Sequence, residues 1–170
     1  MFVSETYSVF DCVFMDYKSN NTKNTNWVAN SNANVTTDDS TGETTISTTN
    51  TGSSTLSGTY RSTALLTGDF EAILEAKTNG KVRVGVTDNS SKYYRTTFDN
   101  SSYNYIKLRR VVSTLTIKYS TDGETWVTPN VIEQSTTPLA DTNCYFMISL
   151  ILPSAAERSI TYKNLRIYPI

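Results

Sequence analysis

Between residues 69 and 87, apolar and polar side chains alternate with a period of two. A half-buried strand can place such a pattern on one face and a helix cannot. Phe70, Ala72, Leu74 and Ala76 form one apolar row against Glu71, Ile73 and Glu75. Val82, Val84 and Val86 form the next, against Lys81, Arg83, Gly85 and Thr87. The Thr-Asn-Gly segment at 78–80 reads as a three-residue hairpin loop with Gly80 in the left-handed position. That loop sets Ala76 beside Val82 and Glu75 beside Arg83, so both apolar rows share a face. The same period recurs at 92–98, 103–111, 114–119, 124–128, 143–152 and 159–168. Residues 33–37 and 44–49 read as edge strands around a turn at 38–42. No stretch keeps a 3.6-residue period over three turns, although 137–142 has room for one helical turn. Roughly a dozen short strands predict an all-β sandwich of two antiparallel sheets.

Composition narrows the function classes. The 170 residues suit a single β-sandwich domain over 1–170, with the Asn/Thr/Ser-rich stretch 20–60 supplying early strands and loops. A net charge of -1 argues against a nucleic-acid partner. The chain has no histidine, which excludes Ser-His-Asp triads and histidine-based zinc sites. The longest apolar run, 144–153, is too short to cross a bilayer, so no membrane insertion is expected. The start of the chain shows no signal-peptide pattern. The composition fits a protein of the extracellular space or a virion surface. Cys12 and Cys144 lie in strand-like segments and read as free buried thiols, with a disulfide between them as the alternative.

Parity places a polar row opposite the core: Glu71, Glu75, Lys81, Arg83, Tyr105, Lys107, Arg109 and Lys118, joined by Tyr93 and Arg95. Aromatic rings beside charged forks suit sugars, since rings stack on a sugar's apolar face and guanidiniums bond paired oxygens. Glu71, Arg83, Arg95, Tyr105, Lys107 and Arg109 are therefore the candidate carbohydrate-binding residues. The cationic excess from Arg95, Lys107, Arg109 and Lys118 favours an anionic glycan or cell-surface polymer. The plain alternative is a solvated face crossed by ion pairs such as Glu75 with Arg83. The Ser-Thr-Asp-Gly-Glu-Thr-Trp string at 120–126 resembles the Asp-box hairpin of sialidases, with one residue fewer between Asp and Gly. It reads as a turn at Asp122-Gly123 that sets Tyr119 opposite Trp126. Trp27 reads as a ring packed over a sheet edge.

The order of features has a family likeness. It runs from Phe10-Asp11 and Trp27 through Ser62-Thr63, Gly68-Asp69-Phe70-Glu71 and the charged-apolar strands to Tyr105-Ile106-Lys107-Leu108-Arg109. Leu115 to Trp126 follow, and the chain closes on Tyr162-Lys163-Asn164-Leu165-Arg166-Ile167. From about Phe10 onward the chain resembles the concanavalin A-like lectin/glucanase superfamily. The resemblance implies a jelly roll whose concave sheet carries the ligand. Laminarinase-type glycosidases of this fold carry Glu-x-Asp-x-(x)-Glu on one strand. Here Glu71-Ala72-Ile73-Leu74-Glu75 has Ile73 where the central Asp belongs, so no catalytic residues are expected. Two alternatives stand beside a non-catalytic recognition module. One is a virion structural or receptor-binding protein of tail-fibre or baseplate type, which would be a homo-oligomer; the other is a laminarinase-type glycoside hydrolase. The resemblance also implies a structural calcium near Asp11 and the last strand. Lys163 stands where a second acidic residue would be needed, and no cofactor is expected.

Overall fold

The computed structural model describes residues 14–15, 27–29, 34–38, 40–49, 56–62, 65–137, 139, 143–152 and 157–170. These residues form thirteen strands. They are β1 (Phe14–Met15), β2 (Trp27–Ala29), β3 (Asn34–Asp38), β4 (Glu43–Thr49), β5 (Leu56–Ser62), β6 (Phe70–Asn79), β7 (Val82–Thr87), β8 (Tyr93–Phe98), β9 (Asn104–Val111), β10 (Thr114–Ser120), β11 (Glu133–Gln134), β12 (Tyr145–Leu152) and β13 (Glu157–Pro169). They build two antiparallel sheets. The seven-stranded sheet runs β10-β9-β6-β13-β4-β3 with β1 beside β13, and the six-stranded sheet runs β11-β8-β7-β12-β5-β2. This is the all-β sandwich of two antiparallel sheets that the alternation predicts, and the jelly roll is the form that the resemblance implies.

The core is the meeting of the two inner faces. Phe70, Ala72, Leu74, Ala76, Ile106, Leu108 and Ile167 come from the seven-stranded sheet, and Val82, Val84, Val86, Phe146, Ile148 and Leu150 from the other. Each large apolar side chain so buried contributes on the order of 1.5–3 kcal/mol. The Thr-rich segment also reaches the interior, because Thr37, Thr44 and Thr48 are buried in line with Val35 and Ile46. Thr37 and Thr44 bond each other through their hydroxyls at 3.0 Å, which makes these inward polar groups tolerable.

The 69–87 segment departs from the expected hairpin. Gly80 is left-handed, with φ +79, yet β6 and β7 do not pair. β6 lies between β9 and β13, whereas β7 lies between β8 and β12 in the opposite sheet. The turn is an arch that carries the chain across the core. Parity required only that the two apolar rows meet, and rows facing each other across a sandwich meet as well as rows side by side. Two smaller differences concern strand roles. β4 sits inside its sheet between β3 and β13, and the 124–128 segment supplies only an isolated bridge at Val127. β5 and β11 lie in stretches with no clear alternation and were not expected. Residue 138 and residues 140–142 of the anticipated helical turn lie outside the described residues.

Cys144 is a free buried thiol, and Cys12 lies outside the described residues. Burial pushes the Cys144 thiol from its ordinary 9.0 up to about 11, opposed by the nearby Arg110. Burial likewise pushes the Tyr60 phenol, which donates to the Ser47 carbonyl at 2.9 Å, from 10.0 up to about 12. Both groups ionise more readily in the unfolded chain, so the contribution of this pair is fully present below pH 9 and is lost as pH rises from 9 toward 12. Urea unfolding between pH 8 and pH 11.5 should show that decline. Tyr60→Phe should flatten its upper part, at a cost of about 1 kcal/mol at neutral pH for the lost hydrogen bond.

Candidate functional site

Each sheet has an outward face, and the two differ in chemistry. On the seven-stranded sheet, Glu71, Glu75 and Lys77 of β6 stand beside Tyr105, Lys107 and Arg109 of β9 and Lys163 and Arg166 of β13. Nearly every charge there has a local partner. Arg109 faces Glu71 at 3.7 Å, Lys163 faces Glu75 at 3.3 Å, and Lys77 reaches Glu43 at 4.0 Å. Lys77 and Lys163 both lie 4.6 Å from the centre of the Tyr103 ring, while Lys107 sits 4.1 Å over Trp126. Burial, with Glu43 and Glu75 nearby, pushes the Tyr103 phenol up. Tyr105 is packed beneath the turn at Gly123, whose α-carbon approaches the ring so closely that an added Cβ would touch it at 3.4 Å.

That turn is held by Asp122, whose Oδ1 accepts from Ser120 Oγ and from the amides of Glu124 and Thr125 at 2.7–2.9 Å. These bonds hold the Asp122 carboxyl well below the usual carboxylate range. The loop closes with Tyr119 opposite Val127, one residue beyond the expected Trp126. Trp126 is thereby freed to cap Lys107.

The six-stranded sheet is organised differently. Its outward side chains form three rows in register. The central row runs Glu133, Arg95, Gly85, Met147, Arg61 across five strands. One flanking row places Thr87 between Tyr93 and Tyr145, and the other places Arg83 between Thr97 and Ser149. Arg95 stacks on Tyr93 at 4.0 Å, and Arg61 stacks on Tyr145 at 4.3 Å. Two partly exposed arginine–tyrosine pairs thus flank a floor of Gly85, Met147 and Ser149. These three are buried although they point away from the core. At about 4.8 Å per strand, Tyr93 and Tyr145 stand roughly 10 Å apart.

Arg83 and Arg95 share one carboxylate. Arg83 Nε donates to Glu133 Oε1 at 3.0 Å, and Arg95 Nε donates to Oε2 at 3.1 Å. Gly85 makes this possible: a Cβ there would collide with the Tyr94 carbonyl and with Arg95 Cα and Cβ, so the neighbouring strand could not sit so close.

The expected six-residue site is therefore divided. Glu71, Tyr105, Lys107 and Arg109 lie on one outward face; Arg83 and Arg95 lie on the opposite one. The Glu75–Arg83 pair is absent, each residue having found a different partner. The cationic group of Arg95, Lys107, Arg109 and Lys118 is split in the same way. Glu133, Arg61, Tyr145 and Met147 were missed. The 145–150 alternation does show that Tyr145 and Met147 oppose Phe146 and Ile148, but only the strand order shows what they adjoin. For Glu133, in a two-residue strand, the sequence carries no signal.

A mixed cleft of about 450 Å³ opens at the edge between β8 and β10. Phe98, Ile106 and Ile117 supply apolar lining, and Asp99, Asn100, Lys118 and Asn130 polar lining. Among the described residues no group of three or more Cys, Asp or Glu converges to hold a metal ion. Lys163 is engaged with Glu75, Asn164 is left-handed in a bulge, and Asp11 lies outside the described residues. β2 is the edge strand of its sheet, and it carries Trp27.

No family model matches the chain, and no curated protein matches it. Solved structures do. The lectin UEA-II complexed with galactose aligns at a TM-score of 0.56 and 9% identity, covering 91% of this chain and 96% of the lectin. The chain has the concanavalin A-like lectin/glucanase fold. A putative beta-glucanase from Mycobacterium abscessus aligns at 0.56 and 11% identity, over 84% of this chain and 92% of the glucanase. A structure described with endo-acting O-glycanases of the human gut microbiota that initiate mucin breakdown aligns at 0.64 and 8% identity, over 94% and 99%. Lectins and glucanases thus share this concanavalin A-like scaffold, and chemistry has to be argued from side chains.

Two variants test the construction of the arginine face. Glu133→Ala leaves two guanidiniums adjacent and should cost about 1 kcal/mol, or roughly 2–4 °C in Tm. Gly85→Ala should cost more, on the order of 2–3 kcal/mol in urea unfolding, because backbone must move to admit the methyl group.

Proposed function

We propose that this protein is a non-catalytic carbohydrate-recognition module whose ligand lies on the outward face of the six-stranded sheet. The observation that carries this reading is the pair of arginine–tyrosine stacks either side of the Gly85–Met147–Ser149 floor. Amphipathic rings and planar donor forks are the groups that hold sugars, and here they are prepositioned by packing. The opposite face supports the reading by contrast. Its tyrosines are covered or bracketed by lysines, and Glu71 and Glu75 are each engaged by a cation of a neighbouring strand, as expected of a solvated sheet. The partner on this reading is a cell-surface or matrix glycan met outside the cell or at a virion surface.

Hydrolysis is set aside on the carboxylates. Glu71 and Glu75 are the two outward carboxylates of β6. Ile73 stands between them, and each glutamate is held by its own cation.

Binding should be read by glycan array and then by calorimetry on an array hit. Tyr93→Ala and Tyr145→Ala should each weaken binding about tenfold, the loss of one stacked ring. Tyr105→Ala combined with Arg109→Ala should leave it unchanged. The reverse pattern would move the site to the seven-stranded sheet, and β-glucan hydrolysis abolished by Glu75→Gln would make the protein an enzyme.

A further inference from the structure

The arrangement of Arg83 and Arg95 says what kind of sugar the face takes. Both guanidiniums meet Glu133 through Nε alone. The two guanidiniums make no other hydrogen bond or ion pair among the described residues; that of Arg95 additionally stacks on Tyr93. Their Nη groups, which form the outer fork of each guanidinium, are therefore uncommitted. Two positive charges against one carboxylate also leave the trio with a surplus, and Arg61 adds a third cation in the row of Arg95 and Glu133. A neutral sugar does not need this. Hydroxyls are satisfied by neutral donors, and holding like charges on adjacent strands is unfavourable unless something anionic is gained.

Glu133 explains how the pair is tolerated when no ligand is bound. It bridges the two Nε atoms, offsets half of their charge, and fixes the plane of each guanidinium. The planar fork then loses little freedom when it takes a second anion. Thr97 lies beside the same carboxylate, its hydroxyl 3.5 Å from Oε1.

Resting on the proposed reading of this face, we propose that the bound glycan is acidic. Its carboxylate or sulfate is taken by the Nη donors of Arg83 and Arg95, while Glu133 remains in place as the positioning residue. Tyr93 and Tyr145 contact the sugar rings on either side of the floor.

The test is an array of uronate-containing, sialylated and sulfated glycans beside their neutral parent glycans, probed with the full chain. Expected hits are acidic glycans only, and which acidic class responds separates carboxylate from sulfate. Arg83→Lys with Arg95→Lys keeps the charge and removes the forks; it should weaken acidic hits at least tenfold while the melting temperature stays within a few degrees. Arg95→Lys alone serves as the milder variant should the double variant melt early, with a loss of about threefold or more. Acidic hits that survive the lysine variants overturn the arginine assignment. Neutral parents bound as tightly as their acidic forms, with binding lost in Tyr93→Ala, overturn the acidic class and leave the face as a glycan site. No hits at all, or hits indifferent to both tyrosines, overturn the face itself.

Discussion

Two apolar rows laid against each other across a gap of about 10 Å hold this molecule together. One row comes from β6 and the other from β7, consecutive strands that the arch at Gly80 sends into different sheets. Everything outward-facing follows from that crossing. Because Phe70, Leu74, Val82 and Val86 point inward, Glu71 and Glu75 point out on one side and Arg83 on the other. Only seven residues lie between Glu75 and Arg83 in sequence, yet the hydrophobic layer separates their charges. A hairpin would have put them on one surface.

The two outward faces then use a similar supply of charged and aromatic residues in different ways. On the seven-stranded sheet, opposite charges meet across neighbouring strands, and lysines settle on the Tyr103 and Trp126 rings. Exposed pairs of this sort contribute little stability each, but they occupy both outward glutamates of β6. On the six-stranded sheet, two guanidiniums are gathered on a single carboxylate. Arg83 and Arg95 share Glu133, and Arg61 stands across the floor with its own tyrosine. Gathering like charges works against stability, so a surface that does so is the better candidate for recognition.

Much of the fold was legible in the residues. Alternation located β6 to β10, β12 and β13 to within a few residues, and parity assigned the inward side chains of β6, β7, β9 and β10 correctly. What alternation missed was short or monotonous. β11 has only two residues, and β5 lies in a Thr/Ser-rich stretch whose polar side chains hide their period. The candidate face was less legible. Arg83 and Arg95 were recognised as outward residues, but their neighbours were misassigned, and Glu133 was invisible.

Sequence alone determined which side of β6, β7, β9 and β10 faces the core, because a period of two leaves only one choice once the apolar row is buried. It also excluded histidine chemistry and removed the central carboxylate at Ile73. Tertiary structure decided which outward rows adjoin. Strand order in a jelly roll is set by contacts distant in sequence, and a local pattern is the same whether its neighbour lies beside it or across the core. The union of Arg83 with Arg95 and Glu133, and the separation of all three from Glu71 and Arg109, are consequences of that order.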